Sequence, residues 1–234
     1  MIDISIIKFG TLSMEYGESL YATPRKLQKK LGKLGDSSIT HIEHQAEHYL
    51  VDTGFANEGE FSETNLLYNN QELEFRLKVA NLKFDDVAGI FITHWHEDHF
   101  ANLRLFPNAQ IYTYEEYQNV QFHLLAKYYK FEDRLPIIFL KEGDKFAGCT
   151  VLPTPGHTKG HCSLLAIFMD LHIVIAGDAI VSQSYFDQGK VWPYNLGNLG
   201  DAPCLASMNH IIDIADYIIP GHGHPFQNYK KPVV

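Results

Sequence analysis

The stretch from Thr93 to His99, which reads Thr-His-Trp-His-Glu-Asp-His, constrains the fold and chemistry of this chain more than any other. It directly follows an apolar run at 87–92, whose branched and aromatic residues are typical of a short buried strand. We therefore expect its side chains at the carboxyl end of a strand, where open α/β sheets place their chemistry. Imidazole and carboxylate groups are ligands that suit Zn²⁺, and they also suit Fe and Mn. Four side chains in the stretch can bind such an ion, namely His94, His96, Asp98 and His99.

Length and charge limit the classes of protein to which the chain can belong. Its 234 residues, 45% of them hydrophobic, suffice for one large domain or two small ones with a sizeable core. The formal net charge of −9 disfavours a nucleic-acid partner and attraction to membrane surfaces. No apolar stretch approaches the roughly 20 residues that a membrane span needs. We therefore expect a small-molecule substrate and no membrane partner.

The cysteines and the N-terminal residues indicate the cellular compartment in which the protein is expected. The three cysteines are odd in number, widely separated and set among apolar residues, which predicts buried free thiols: Cys149, Cys162 and Cys204. Residues 1–8 lack the basic flank and long apolar region of a signal peptide. Both observations favour a cytoplasmic protein.

Hydrophobic periodicity predicts an alternation of strands and helices. The expected strands lie at 2–9, 87–92, 110–113, 151–152, 162–168, 171–176 and 217–219, with a hairpin at 39–51. The expected helices lie at 71–82, 98–105, 115–129 and 202–215. His41, His44 and His48 are assigned to the surface of the hairpin, since the surrounding residues favour strand over the helical spacing that would group them.

A basic stretch at 25–33 reverses the local charge of this acidic chain. It contains Arg25, Lys26, Lys29, Lys30 and Lys33, and its leucines allow a short amphipathic helix. Two interpretations stay open: a solvated helix face, or a flap that meets an anionic substrate.

One pattern recurs along the chain: an apolar strand ends in a turn that carries a ligand-type residue. Besides the 94–99 stretch, these residues are Asp52, His157, Asp178 and His222. A two-metal site needs two sets of ligands and an anionic oxygen that bridges them. The count is met by His94, His96 and His157 for one ion, by Asp98, His99 and His222 for the other, and by Asp178 between them. Asp52 is either an acceptor for a ligand imidazole or a simple turn residue.

The order of these residues resembles the five motifs of the metallo-β-lactamase superfamily. The resemblance implies an α/β protein with a four-layer αβ/βα sandwich, a single domain over 1–234, and metals at one edge between two sheets. It also implies the same division of ligands, with Asp178 bridging and Asp52 supporting a ligand. The segment 154–161 resembles the third motif of the glyoxalase II-like hydrolases. The segment 220–223 resembles their last motif and that of the metallo-β-lactamase domain-containing 1-like proteins.

At three positions the chain departs from the motifs of particular subfamilies, which narrows the subfamilies that it can resemble. Zinc β-lactamases of the best-known class carry a Cys where Asp178 stands, and flavodiiron proteins carry a Glu where His96 stands. Acyl-homoserine lactonases place a Tyr three residues after the bridging Asp, where this chain has Val181.

The expected function is hydrolysis of an ester, thioester or lactone by a hydroxide that bridges two divalent ions, zinc in the first place. Asp98 and Asp178 are the expected catalytic residues, because one can orient the nucleophile and the other supplies the bridging anion. Two alternatives use related sites: a phosphodiesterase or ribonuclease with the same metals, and a mononuclear-iron oxidoreductase of the persulfide dioxygenase type. The expected pocket walls are Trp95, Tyr185, Phe186, Trp192, Tyr194 and His224.

Overall fold

The structure is a computed structural model that describes residues 2–12, 36–56, 62–193, 195 and 200–232. Its strands are β1 Ile2–Lys8, β2 Ile39–His44, β3 Glu47–Val51, β4 Val87–Ile92, β5 Gln110–Tyr114, β6 Ile138–Leu140, β7 Lys145–Phe146, β8 Cys149–Pro153, β9 Cys162–Phe168, β10 Leu171–Gly177, β11 Tyr217–Pro220 and β12 Phe226–Gln227. Its α-helices are α1 Glu63–Val79, α2 Glu97–Phe100, α3 Phe122–Tyr129, α4 Gln183–Gln188 and α5 Asp201–Ile214.

The strands form two sheets of six. The first has the order β1-β2-β3-β4-β5-β6, antiparallel from β1 to β3 and parallel from β3 to β6. The second has the order β12-β11-β10-β9-β8-β7, in which the β10–β11 pair alone is parallel among neighbours. The parallel pairs around β4 and β10 bring several carboxyl ends of strands to the same edge of the molecule.

Three hydrophobic cores separate four layers. In β4, Ile90 and Ile92 pack under the helices α1 and α3, whereas Phe91 points the other way, into the space between the sheets. In β10, Ile175 enters the same space, while Val174 and Ala176 on either side of it pack under α4 and α5. Successive side chains of a strand point to opposite faces, so both strands are covered on both sides. The arrangement is the expected αβ/βα sandwich.

The most apolar strands lie where the sequence predicts them, and the hairpin at 39–51 is confirmed. Its turn residues Gln45 and Ala46 have positive φ values of 55° and 62°, as a two-residue hairpin turn of the primed type requires. The three cysteines are free and buried, as expected. The basic stretch 25–33 lies outside the described residues.

Helix boundaries were predicted less well than strands. Helix α1 begins eight residues before the predicted start at 71, because Ser62 caps it with a side-chain oxygen 3.2 Å from the Asn65 N–H. The predicted helix at 115–129 is a 3₁₀ turn at Glu115–Tyr117 followed by α3, and the one at 98–105 is α2 followed by a 3₁₀ turn at Leu103–Leu105. Within the described part of the chain, no helix is long and apolar enough to cross a membrane.

Candidate metal centre

Each of the expected ligands follows a strand, and the strand ends meet at one edge of the sandwich. The cluster 94–99 follows β4, His157 follows β8, Asp178 follows β10 and His222 follows β11. The two sheets are tied together here, because the Cys162 N–H donates to the Thr93 carbonyl at 3.0 Å. The structure brings all seven expected ligands together.

The first group consists of three imidazole nitrogens that face one another. Nδ1 of His96 lies 3.0 Å from Nε2 of His94 and 2.9 Å from Nε2 of His157. Nitrogens that share one tetrahedral zinc ion at bonds of about 2.0–2.1 Å lie roughly 3.3 Å apart, so the spacing suits a single small cation. His94 and His157 are buried, while His96 is half-buried.

The second group lies beside the first. Oδ2 of Asp98 is 3.6 Å from Nε2 of His99 and 3.6 Å from Nε2 of His222. Both histidines are buried, whereas Asp98 keeps a side-chain exposure of 20%. The half-buried members of the two groups, His96 and Asp98, therefore mark the side of the cluster that solvent can reach.

The carboxylate of Asp178 divides its two oxygens between the groups. Oδ2 lies 3.2 Å from Nε2 of His157 and 3.9 Å from Nε2 of His94. Oδ1 lies 3.4 Å from Nε2 of His99 and 3.5 Å from Nε2 of His222. One anion thus faces both groups, which is the placement that a bridging ligand needs.

A single carboxylate, that of Asp52, orients histidines of both groups. Its Oδ2 accepts from Nδ1 of His99 at 2.7 Å and from the Thr93 hydroxyl at 2.8 Å. Since that hydroxyl proton is engaged, the Thr93 oxygen can only accept from Nδ1 of His94, 3.2 Å away. In their neutral form both rings therefore carry the proton on Nδ1, and each turns an Nε2 lone pair to the cluster. Of the two interpretations of Asp52, an acceptor for a ligand imidazole or a simple turn residue, the hydrogen bond to His99 supports the first.

Other acceptors orient the remaining Nε2 ligands in the same way. Nδ1 of His222 lies 3.1 Å and 3.0 Å from the backbone carbonyls of Thr11 and Asp36, which can only accept. Nδ1 of His157 lies 3.0 Å from the side-chain oxygen of Asn195. Sequence reasoning missed Thr93 and Asn195; the first reads as a strand end, and the second is distant in the chain.

Burial lowers the pKa values of His94 and His96, whereas those of His99 and His222 are raised, because the facing carboxylates outweigh the effect of burial there. Burial lowers the pKa of His96 to about 4, so this ring is neutral and can act as a ligand. Burial opposes the charging of His222 too, but Asp178 outweighs it and raises the pKa of His222 to about 9. Burial would raise the pKa of Asp178, but the imidazoles that face it hold that pKa well below its usual range. The buried carboxylate is therefore ionised, and nearby positive charge stabilises it.

Unpartnered buried atoms show that the donor set fits metal ions. Among the described residues, Nε2 of His99 and Oδ1 of Asp178 are buried without a hydrogen-bond partner, and both face the cluster. Such groups cost free energy unless something satisfies them. The donor atoms also form three sets of the composition and spacing that hold a metal: His94, His96 and His157; His94, His99 and Asp178; and Asp98, His99 and His222.

Several expected wall residues lie elsewhere. Trp95 packs in the core under the helices against Phe100 and Phe122, and its indole N–H donates to Thr113 at 3.2 Å. Phe186 is fully buried in the core under α4 and α5. These two predictions were wrong, because each ring completes a hydrophobic core.

The remaining wall residues stay predictions. Tyr185 and Trp192 pack edge to face with ring centroids 5.4 Å apart, and the exposed His224 lies against Phe9 at 4.1 Å. Tyr194 lies outside the described residues.

The hairpin histidines stay outside the metal groups, although their assignment to the surface was partly wrong. His41 is buried, with Nε2 3.1 Å from Nδ1 of His48 and Nδ1 3.0 Å from the Ser5 hydroxyl. Its ring lies between Ser5 of β1 and His48 of β3, the two strands that pair with β2, and these contacts cover it.

Comparison with known proteins places the chain in a family. The model of the family described as "Metallo-beta-lactamase superfamily" matches residues 32–224. A metallo-beta-lactamase domain-containing protein 1 from Xenopus laevis is 32% identical over 197 residues, which cover 83% of this chain and 74% of that protein. The Homo sapiens protein of the same name is 30% identical over 154 residues, which cover 62% of this chain and 51% of that protein.

Solved structures share the fold at lower identity. A metallo-beta-lactamase family protein from Thermus thermophilus superposes with a TM-score of 0.60 at 22% identity, covering 83% of this chain and 71% of that one. An N-acyl homoserine lactone hydrolase, with N-hexanoyl-L-homoserine bound at its catalytic metal centre, superposes with a TM-score of 0.63 at 21% identity. That match covers 94% of this chain and 92% of the other.

Proposed function

The chain belongs to the metallo-beta-lactamase superfamily of metallo-hydrolases, and from this premise we propose that it cleaves an ester, thioester or lactone with two divalent metal ions, zinc in the first place. One observation carries the proposal. Seven donor side chains converge in two groups, and the carboxylate of Asp178 turns one oxygen to each. A site for one ion would not need the second group, which is complete in Asp98, His99 and His222.

The chemistry divides between the metals and the residues around them. Two divalent ions held by these groups supply Lewis acidity and lower the pKa of water toward neutrality. Asp178 contributes the shared negative charge; burial opposes its ionisation, but the facing imidazoles outweigh that effect and hold the pKa of Asp178 well below its usual range. Asp98 is the one carboxylate of the cluster that solvent reaches, so its free oxygen can accept a hydrogen bond from the attacking water and orient it.

The oriented histidines make the site rigid before any substrate arrives. Asp52 holds Nδ1–H of His99, the Thr93 hydroxyl that of His94, Asn195 that of His157, and two backbone carbonyls together hold that of His222. Four Nε2 atoms therefore keep fixed directions. Ligands preorganised in this way reduce the reorganisation that a reaction needs. Substrate approaches from the side of His96 and Asp98, since the other five ligands are buried.

The proposed substrate class rests on a shared fold and on one residue that differs from the lactonase pattern. The fold is shared with an N-acyl homoserine lactone hydrolase, which supports acyl-oxygen cleavage at such a metal site. Val181 stands three residues after Asp178 and is buried, so it offers neither a hydroxyl nor an exposed ring to a substrate there. We therefore propose an ester, thioester or lactone of another acid.

The test is a panel of ester, thioester, lactone and phosphodiester substrates offered to protein of measured metal content. The proposal expects hydrolysis of an acyl substrate that disappears on chelation and returns when zinc is restored. Turnover of phosphodiesters alone would assign the site to the alternative hydrolase, and acyl hydrolysis that survives complete removal of metal would refute the proposed chemistry.

A further inference from the structure

Asn195 is a side chain whose two ends are both engaged, and this fixes which way its amide points. Its nitrogen lies 2.6 Å from the backbone carbonyl of Trp192. A carbonyl oxygen only accepts, so the nitrogen must be the end that faces Trp192. The amide oxygen is therefore the end that faces Nδ1 of His157, at 3.0 Å.

The orientation of the amide decides the protonation of His157. An amide oxygen also only accepts, so the proton of the neutral imidazole is on Nδ1. Nε2 then holds a lone pair, and it points at the cluster, 2.9 Å from Nδ1 of His96 and 3.2 Å from Oδ2 of Asp178. With the other tautomer, the lone pair of Nδ1 would face the lone pairs of the amide oxygen, and Nε2 would present a proton where a cation should bind.

The support of His157 differs from those of the other Nε2 ligands. His99 and His94 depend on the carboxylate of Asp52, directly or through Thr93, and His222 depends on backbone carbonyls. His157 alone among them depends on a neutral side chain from a distant segment, 38 residues away in sequence. Because the same amide binds the backbone at Trp192, whose ring packs on Tyr185, the ligand is tied to an aromatic pair.

We propose that Asn195 is a positioning residue for metal binding: it holds His157 in the tautomer that presents Nε2 to the metal, and it ties the Trp192 backbone to that ligand. The inference rests on the proposed metal-dependent function of the cluster. Partners of this kind typically change metal affinity by about 10–100-fold when they are removed.

The test uses two variants and a matched control. Asn195→Leu keeps the size of the side chain and removes both polar ends. Asn195→Asp keeps an oxygen acceptor for Nδ1 and loses the donor to Trp192. Gln188→Leu, which removes an exposed amide from the nearby helix α4, controls for the change of polarity.

Two measurements distinguish the role of Asn195 from the proposed metal-dependent function on which it rests. The first is the tautomer of His157 in metal-free protein at about pH 8, above the usual imidazole pKa, from long-range ¹H–¹⁵N NMR spectra. Its signals are identified by their loss in His157→Gln. The second is zinc affinity, from competition with a chromophoric chelator.

We expect Nδ1–H at His157 in the wild type and in Asn195→Asp, and a mixture of tautomers in Asn195→Leu. Zinc affinity should fall about 10–100-fold in Asn195→Leu and recover toward the wild type in Asn195→Asp, with Gln188→Leu unchanged. Wild-type behaviour of Asn195→Leu in both readouts, or an Asn195→Asp variant as weak as Asn195→Leu, would overturn the inference. If the wild type bound no zinc, the proposed function would fail, whereas the tautomer readout would still decide the role of Asn195.

Discussion

Gly221 lies so close to Asp178 that a Cβ atom on the glycine would overlap the carboxylate Oδ1. The glycine precedes the ligand His222, so the close approach brings a ligand of one group beside the anion that both groups share. We predict that Gly221→Ala displaces Asp178 and lowers zinc affinity, as measured by chelator competition.

Gly143→Ala is the control for this variant. Gly143 has a φ of 81° and open space around it, so alanine there strains the backbone without touching the cluster. It should lower the melting temperature and leave zinc affinity unchanged. Equal zinc affinities for Gly221→Ala and the wild type would show that the space beside Asp178 does not matter.

Asp178→Asn tests the shared anion. The amide cannot supply the negative charge that faces both groups, so we expect weak binding of both ions and a steep loss of turnover. Asp187→Asn makes the same chemical change at an exposed position, and His44→Ala removes a histidine outside the metal groups. Metal content by mass spectrometry and kcat should be normal in both controls; losses as large as those of Asp178→Asn would disprove the ligand assignment.

Asp52→Asn tests the carboxylate that serves histidines of both groups. Asparagine tolerates the left-handed backbone at this position, where φ is 59°. The change therefore removes the charge and replaces one acceptor oxygen, all of whose partners are donors, with an amide nitrogen. We expect zinc affinity to fall by about 10–100-fold at both ions. Thr93→Val, which removes only the hydroxyl that links Asp52 to His94, should weaken the first ion alone. If zinc titration of Asp52→Asn gave wild-type affinity for either ion, this account would be contradicted.

The ligands could be predicted from the sequence because each one follows an apolar strand. Strands such as β4, β9 and β10 are covered on both faces, so their residues form continuous apolar runs that end abruptly at a polar turn. Short pieces such as β7 and β12, two residues each, are too short to carry any pattern and were missed.

The supports of the ligands could not be predicted, because tertiary contacts create them. Asn195 meets His157 only after the chain has folded, and the aromatic residue Trp95, although beside two ligands, is drawn into a core. The start of α1 was also hidden: Asn69 is buried and binds the Ala56 backbone, while Leu67 is exposed, so the apolar periodicity is broken. Hydrophobic periodicity cannot predict that a polar residue such as Asn69 is buried with its hydrogen bonds made.

Lys8 offers a test of stability away from the metals. The residue is 5% exposed, and its ammonium pairs with Asp36 and lies 2.6 Å from Glu72. Lys8→Met removes one partner of the buried pair with Asp36, and such a loss typically costs about 3–5 kcal/mol of unfolding free energy.

The control is an exposed ion pair. Lys159 pairs with Glu116 at the surface, with a side-chain exposure of 77%, so Lys159→Met should cost no more than about 1 kcal/mol. Denaturant unfolding measures both. Equal costs would show that the pair of Lys8 is no more important than a surface contact.

The central claim is that one folded chain holds two metal ions around Asp178, and metal content measured together with turnover tests it most directly. Metal-free protein is titrated with zinc, and bound metal is determined by plasma mass spectrometry while hydrolysis of the best acyl substrate is followed. The account predicts saturation at two ions per chain, with full turnover only when both are bound, and no saturable pair in Asp178→Asn. Saturation at a single ion with full turnover, or hydrolysis without bound metal, would contradict it.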